Sequence, residues 1–318
     1  MTRQATRARR FSTPVLMVIL VVTSLVTTAT AVVTQAPIKA QAANPPASGW
    51  ATITSANLNS NENTLKGVTC LTSTNCWAVG YYCNHASNSC PHDNGPYYQT
   101  LIEQYNGTSW STVTSANSST SQDNYLTSVA CTSSSNCWAV GYYCNGSNHC
   151  GSTSYDQTLI EQYNGTSWSK VTSPNTSSSK ENVLNAVTCT SSSDCWAVGY
   201  SCETTSACTT GANVSNQTLT EHYDGTSWSI VTSANSSASK SNYLTGVTCT
   251  SSSNCWASGY YCNGTSTSCP QGNGPYYQTL IEQYNGTSWS VVTSGNVSTS
   301  EDNALNGYRV IHRARVGS

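Results

Sequence analysis

The chain has 318 residues, only 8% of them charged, with 12 Lys and Arg against 14 Asp and Glu. Residues 43–307 hold all fourteen carboxylates against four lysines (Lys66, Lys170, Lys180, Lys240) and no arginine, a balance of ten negative charges. Nucleic-acid binding needs clustered Lys and Arg to displace counterions, so this body excludes that class.

The N-terminus carries Arg3, Arg7, Arg9 and Arg10, then an apolar run from Val15 to Val22 and a weaker one to Val33. Ala40-Gln41-Ala42 supplies small residues at −3 and −1. This is the layout of a secretory signal peptide over residues 1–42, with an uncleaved membrane anchor as the alternative. No other segment points to a membrane. Residues 43–49, with Pro45-Pro46, read as a short extended linker.

From Trp50 the chain repeats itself. Trp50, Trp110, Trp168, Trp228 and Trp289 are 60, 58, 60 and 61 residues apart. A period this regular fixes the architecture before any local detail is read. Each full unit carries four cysteines: Cys70, Cys76, Cys83, Cys90; Cys131, Cys137, Cys144, Cys150; Cys189, Cys195, Cys202, Cys208; Cys249, Cys255, Cys262, Cys269. Behind a signal segment an even, repeated set reads as disulfides and as a secreted or cell-surface protein. A four-thiolate zinc site is the alternative, but its cysteines usually fall in closer pairs. The a–b hairpin sets the first two cysteines of a unit opposite each other, which predicts local bridges: first to second and third to fourth.

Each unit predicts four strands. Strand a is short and ends at the first cysteine, as in residues 126–131, and five polar residues then turn the chain. Strand b, residues 137–143, alternates Trp138, Val140 and Tyr142 with Cys137, Ala139 and Gly141. Strand c, residues 157–163, puts Leu159, Glu161 and Tyr163 on one face. Asn164-Gly165 signals a two-residue hairpin. Strand d runs from Trp168 to before Ser173. A Ser- and Asn-rich loop follows, ending in Asn-x-Leu at Asn124, Asn182, Asn242 and Asn303.

Four antiparallel strands per unit, stacked radially, make the blade of an all-β propeller. The repeats over residues 50–307 resemble those of kelch-like propellers, and more closely the long-period, cysteine-containing propeller repeats of secreted bacterial proteins. The carriers are Gly80, Gly141, Gly199 and Gly259 in strand b, a Tyr in strand c and a Trp in strand d. The kelch pattern has a second Gly where Tyr81, Tyr142, Tyr200 and Tyr260 stand. A β-helix is the competing architecture, although its coils are far shorter. Four complete repeats with partial ones at each end predict an incomplete ring. Trp50 would open an unpartnered strand d. The basic run 308–318, with Arg309, Arg313 and Arg315, departs from the repeat like a shifted reading frame.

Glu103, Glu161, Glu221 and Glu282 recur in strand c. As a ring of carboxylates they would bind cations or act as acid and base. As architecture they would accept hydrogen bonds from a Trp N–H or from backbone, and residues present in every blade favour architecture. Asn106 to Trp110 resembles the Asp-box hairpin of sialidase-type propellers, with Tyr105 in place of its Asp, and the arginines such an enzyme needs are missing. His85, His92 and Asp93 share one loop, the only local set with metal-ligand chemistry, and no metal or other cofactor is expected. Asn106, Asn164 and Asn285 head Asn-Gly-Thr sequons that turn chemistry already explains.

The b–c loops vary while the a–b and c–d turns hardly do. Tyr97, Tyr98, Tyr155, Tyr276 and Tyr277 stand in them among Ser, Asn and Gly, a mixture suited to adaptable recognition. The expectation is a non-enzymatic extracellular binding module that recognises a glycan or a protein. A passive cell-wall spacer and a propeller glycosidase or lyase are the alternatives.

Overall fold

A computed structural model describes residues 52–58, 62–85, 90, 97–146, 154–202, 215–264 and 276–306, with the backbone alone at 309–310. The signal segment, the linker, Trp50 and the rest of the basic tail lie outside them.

The described chain is all β, with four antiparallel sheets of four strands each and one of two strands. Blade 1 holds β1 (Asn63–Thr72), β2 (Asn75–Cys83), β3 (Tyr98–Tyr105) and β4 (Trp110–Val113). Blade 2 holds β5 (Asn124–Ser133), β6 (Asn136–Cys144), β7 (Asp156–Tyr163) and β8 (Trp168–Val171). Blade 3 holds β9 (Asn182–Ser191), β10 (Asp194–Cys202), β11 (Asn216–Tyr223) and β12 (Trp228–Val231). Blade 4 holds β13 (Asn242–Ser251), β14 (Asn254–Cys262), β15 (Tyr277–Tyr284) and β16 (Trp289–Val292). The first strands β1, β5, β9 and β13 pack against one another in sequence, so the sheets stand as successive blades of a β-propeller. No strand pairing joins blade 4 back to blade 1 among the described residues.

Four local readings are corrected. Strand a does not stop at the cysteine: β5 runs two residues beyond Cys131, and Ser133 pairs with Asn136. The a–b turn is therefore Ser134-Ser135 alone, because the polar residues beside it have partners in the ladder. The c–d connection is a four-residue loop rather than a two-residue hairpin, with Tyr163 paired to Trp168. The Asn164 side chain closes that loop by accepting from Thr166 N and Ser167 N, and Gly165 takes φ +95°. Residues 52–58 form no strand.

The strand-b glycine is explained by close approach. A Cβ on Gly141 would lie 1.9 Å from the carbonyl oxygen of Tyr125, and its three counterparts meet the same obstacle. That carbonyl sits beside a β-bulge, where Leu126 and Ser128 face consecutive residues and Thr127 is skipped. The skipped side chain reaches the neighbouring blade. Thr127 Oγ1 donates to Leu184 O at 2.8 Å, Asn185 Nδ2 to Leu244 O at 2.7 Å, and Thr245 Oγ1 to Leu305 O at 2.6 Å.

Each seam between blades has one apolar core. In the first, Trp77, Val79 and Ile102 of blade 1 pack on Leu126, Val129, Ala139 and Trp168 of blade 2. The same positions recur at the second and third seams, except that Thr220 stands at the third where Ile102 and Ile160 stand at the first two. The Asn that closes each d–a loop is a clamp: Asn182 Oδ1 accepts from Thr176 N, and Nδ2 donates to Ser177 O and Lys180 O.

Disulfides join Cys70–Cys76, Cys83–Cys90, Cys131–Cys137, Cys189–Cys195 and Cys249–Cys255, as the hairpin geometry predicts. Cys144, Cys202 and Cys262 are also disulfide-bonded. Cys150, Cys208 and Cys269, the partners assigned to them by sequence, lie outside the described residues. Beyond blade 4, Asn303 repeats the loop clamp on Ser298 O and Glu301 O. β17 (Leu305–Asn306) then pairs with β18 (Arg309–Val310).

Candidate functional site

The b–c and d–a loops share one face of the blades. Asn84 Nδ2 donates to Thr120 O, Asn145 Nδ2 to Ser178 O and Asn263 Nδ2 to Thr299 O, each tying a b–c loop to the following d–a loop. The same asparagines seat the loop tyrosines, accepting at 2.9 Å from Tyr97 N, Tyr155 N and Tyr276 N. All five expected binding tyrosines are half-buried at the loop bases. They divide into two kinds. Tyr98 and Tyr277 open strand c and pack inward: Tyr98 against Tyr81 and Tyr125, Tyr277 against Tyr260. The Tyr98 hydroxyl donates to Glu62 Oε1 at 2.9 Å, and burial together with that carboxylate pushes its pKa up to about 12. Tyr97, Tyr155 and Tyr276 each precede the residue that opens strand c.

Six tyrosines of strands a and b belong to the same face. Tyr81, Tyr125 and Tyr142 form an aromatic cluster with Tyr98 at the first seam, and Tyr200, Tyr243 and Tyr260 form one with Tyr277 at the third. The two middle blades differ, because strand c opens there with Asn216 in blade 3 and Asp156 in blade 2. Burial, and then repulsion from Glu181 and Asp123, pushes the Asp156 carboxyl up to about 7. The rim therefore runs aromatic, acidic, amide, aromatic. One signal was present in the sequence: ahead of nearly constant Gln-Thr-Leu runs, the opening residue alone changes, from Tyr98 to Asp156, Asn216 and Tyr277.

The repeated glutamates belong to the seams, not to a ligand site. Each carboxylate is fully buried. Its donors are a serine hydroxyl and, except at Glu221, a backbone N–H from the preceding d–a linker; of the two expected donors the backbone is found and the Trp N–H is not. Glu103 accepts from Ser55 Oγ and Ala56 N, and Glu161 from Ser115 Oγ and Ala116 N. Glu282 accepts from Ser233 Oγ and Ala234 N. Glu221 has Ser173 Oγ at 3.0 Å, but the next residue is Pro174, which has no N–H to give. Burial pushes Glu161 and Glu282 up to about 7 and Glu221 to about 8. Six strand-b and strand-d indoles, Trp77, Trp138, Trp196, Trp168, Trp228 and Trp289, have no N–H acceptor among the described residues.

On the opposite face blade 3 carries a polar set of its own. There His222 Nε2 lies 2.7 Å from Asp194 Oδ1, and its ring stacks on Trp196 at 4.4 Å. Asp224 follows in the c–d turn, held below the usual carboxylate range by Ser227 N and Thr226 N. The other blades have Asn, Gln and Asn at these three positions. His92 and Asp93 lie outside the described residues, and no group of three His, Cys, Asp or Glu suited to a metal occurs among those described.

No protein-family model matches the chain, and no curated protein does. Solved structures similar to the chain include the following two. One, described as "YCF48 bound to D1 peptide", shares 11% identity at a TM-score of 0.37, over 72% of this chain and 54% of that one. The other, a Dyadobacter fermentans protein of unknown function, shares 10% identity at a TM-score of 0.43, over 75% and 71%. The chain thus spans about half the length of the first.

Proposed function

We propose that this protein is a non-enzymatic, extracellular binding module that presents its b–c loop face to a glycan or a protein segment. The carrying observation is variation concentrated on one side: seams and short turns repeat with few changes, while the opposite rim carries aromatic, acidic, amide and aromatic groups in turn. A residue repeated in every blade serves the scaffold, so a recognition surface is sought where the repeat breaks. The disulfide-bonded cysteines fit an oxidising compartment. The test is a glycan array and a synthetic-peptide array, probed with the wild type and with the triple variant Tyr97→Ala, Tyr155→Ala, Tyr276→Ala. Signals lost in the triple variant support the reading. Blank arrays with folded wild type, or signals the variant keeps, remove it.

One observation favours a second reading, a glycoside hydrolase. Asp156 is an unrepeated carboxyl raised to about 7 beside Asp123 and Glu181, and such enzymes need two carboxyls with separated pKa values. Hydrolysis of aryl glycosides that is lost in Asp156→Asn would establish it.

A further inference from the structure

Two blade faces meet no neighbouring blade among the described residues, and together they are the two halves of a seam the chain builds three times. In each built seam a strand-b tryptophan enters edge-on against the strand-d tryptophan of the next blade: Trp77 on Trp168, Trp138 on Trp228 and Trp196 on Trp289, all at 5.3 Å. A tyrosine flanks each slot. Filled slots hold Tyr163–Trp168 at 5.5 Å and 38°, and Tyr223–Trp228 at 5.6 Å and 37°. Blade 1 presents the same slot already formed, with Tyr105–Trp110 at 5.3 Å and 40°. Blade 4 presents the matching knob: Trp256 is half-buried, where Trp77, Trp138 and Trp196 are 1% exposed.

The apolar positions around slot and knob behave alike. Leu65 and Val68 of blade 1 are 40% and 63% exposed, against 0% and 6% for Leu126 and Val129 in blade 2. A hollow of about 360 Å³ lies over Leu65, Val68, Ala78 and Trp110. One of about 370 Å³ lies over Val247, Trp256, Ser258 and Ile281 of blade 4. Ser115, Ser173 and Ser233 each hold the next blade's glutamate, whereas among the described residues Ser294 of blade 4 bonds to Thr279 of its own blade.

We propose that the protein associates head to tail, blade 4 of one copy seating on blade 1 of a second copy. The second copy is the occupant because its blade 1 carries, in the same positions, the residues that cover blades 1, 2 and 3 from within the chain. Two segments already occupy parts of these faces: Ser55 on Glu103, and Leu305 on Thr245. Seating exchanges like for like, as in domain swapping: the incoming Ser294 replaces Ser55, and Leu65 replaces Leu305. The gain is the cover of Leu65, Val68, Trp256 and Ile281. Such a contact is heterologous, closing into a ring if its rotation permits and otherwise extending.

The test is light scattering of the full chain across a concentration series, with two charge variants. Val68→Glu spoils the blade 1 half at an exposed site. Ser258→Glu spoils the blade 4 half at a half-buried site where the other blades have Val79, Val140 and Val198. The wild-type mass should rise to a dimer or beyond, and each variant alone should associate at least tenfold more weakly. Mixed in equal amounts, the two variants should form a 1:1 dimer and nothing larger, since each keeps one sound half. A wild type that stays monomeric, variants that associate like the wild type, or a mixture that stays monomeric would each overturn the proposal.

Discussion

At the scale of single residues, the seam glutamates make stability depend on pH in an uncommon direction. Burial raises the carboxyls of Glu161, Glu221 and Glu282 from an ordinary 4.5 to about 7, 8 and 7. The folded chain then holds these protons more tightly than the unfolded chain. Their contribution is full below about 4.5 and is lost as pH rises through 7 to 8. The melting temperature should therefore fall between pH 5 and pH 8.5, the reverse of a protein held by paired carboxylates. Glu221→Gln should be stabilising at pH 8.5 by roughly 1–3 kcal/mol and should flatten the slope, because a neutral amide needs no desolvated charge. Pro174→Ala restores the N–H that Glu161 receives from Ala116, and should lower the Glu221 pKa. Melts of the two variants that parallel the wild type at both pH values would refute this account. Gly141→Ala tests the bulge. A Cβ placed 1.9 Å from a backbone oxygen forces the two strands apart, at a cost of about 3 kcal/mol in a urea titration.

At the scale of strands and loops, what the sequence disclosed was local. The alternation of Trp138, Val140 and Tyr142 against Cys137 and Ala139 lies within one strand. The cysteine pairs are separated by 6 and 7 residues, so hairpin geometry assigns the first and nearness in sequence the second. The connections across seams were not legible. Ser115 reaches Glu161 over 46 residues, and Thr127 reaches Leu184 over 57. Those contacts depend on how blades stack and on a one-residue bulge, neither of which a hydrophobic period encodes. The loop clamp was visible only as a recurring Asn-x-Leu; its hydrogen bonds explain the recurrence. Asn182→Ala leaves buried donors and acceptors unpaired and should cost roughly 2–4 kcal/mol. Access separates the four equivalent a–b bridges: Cys70 is exposed, while Cys131, Cys189 and Cys249 are half-buried. Thiolate exchange needs a path to the sulfur, so mild reduction followed by alkylation should label Cys70 and Cys76 first. Equal labelling of all four bridges would show that exposure does not govern them.

At the scale of the whole molecule, stability is distributed along a row of nearest-neighbour seams rather than around one core. Each seam has its own aromatic lock, glutamate and bulge latch, and the described residues show no strand pairing between the last blade and the first. In such an array the free energy is a sum of blade terms and seam terms, and unfolding begins where a blade has one seam in place of two. Among the described residues, blades 2 and 3 have a neighbouring blade on both faces, blades 1 and 4 on one. Hydrogen exchange on dilute protein should therefore find the amides of β6 and β10 slowest and those of β2 and β14 faster, although all four have the same pattern of ladder hydrogen bonds. Raising the concentration should slow β2 and β14 selectively if blade 4 seats on blade 1 of another copy, and Val68→Glu should abolish that concentration dependence. Equal protection of all four strands in dilute solution would mean that the blades unfold as one unit, which a row of independent seams does not allow.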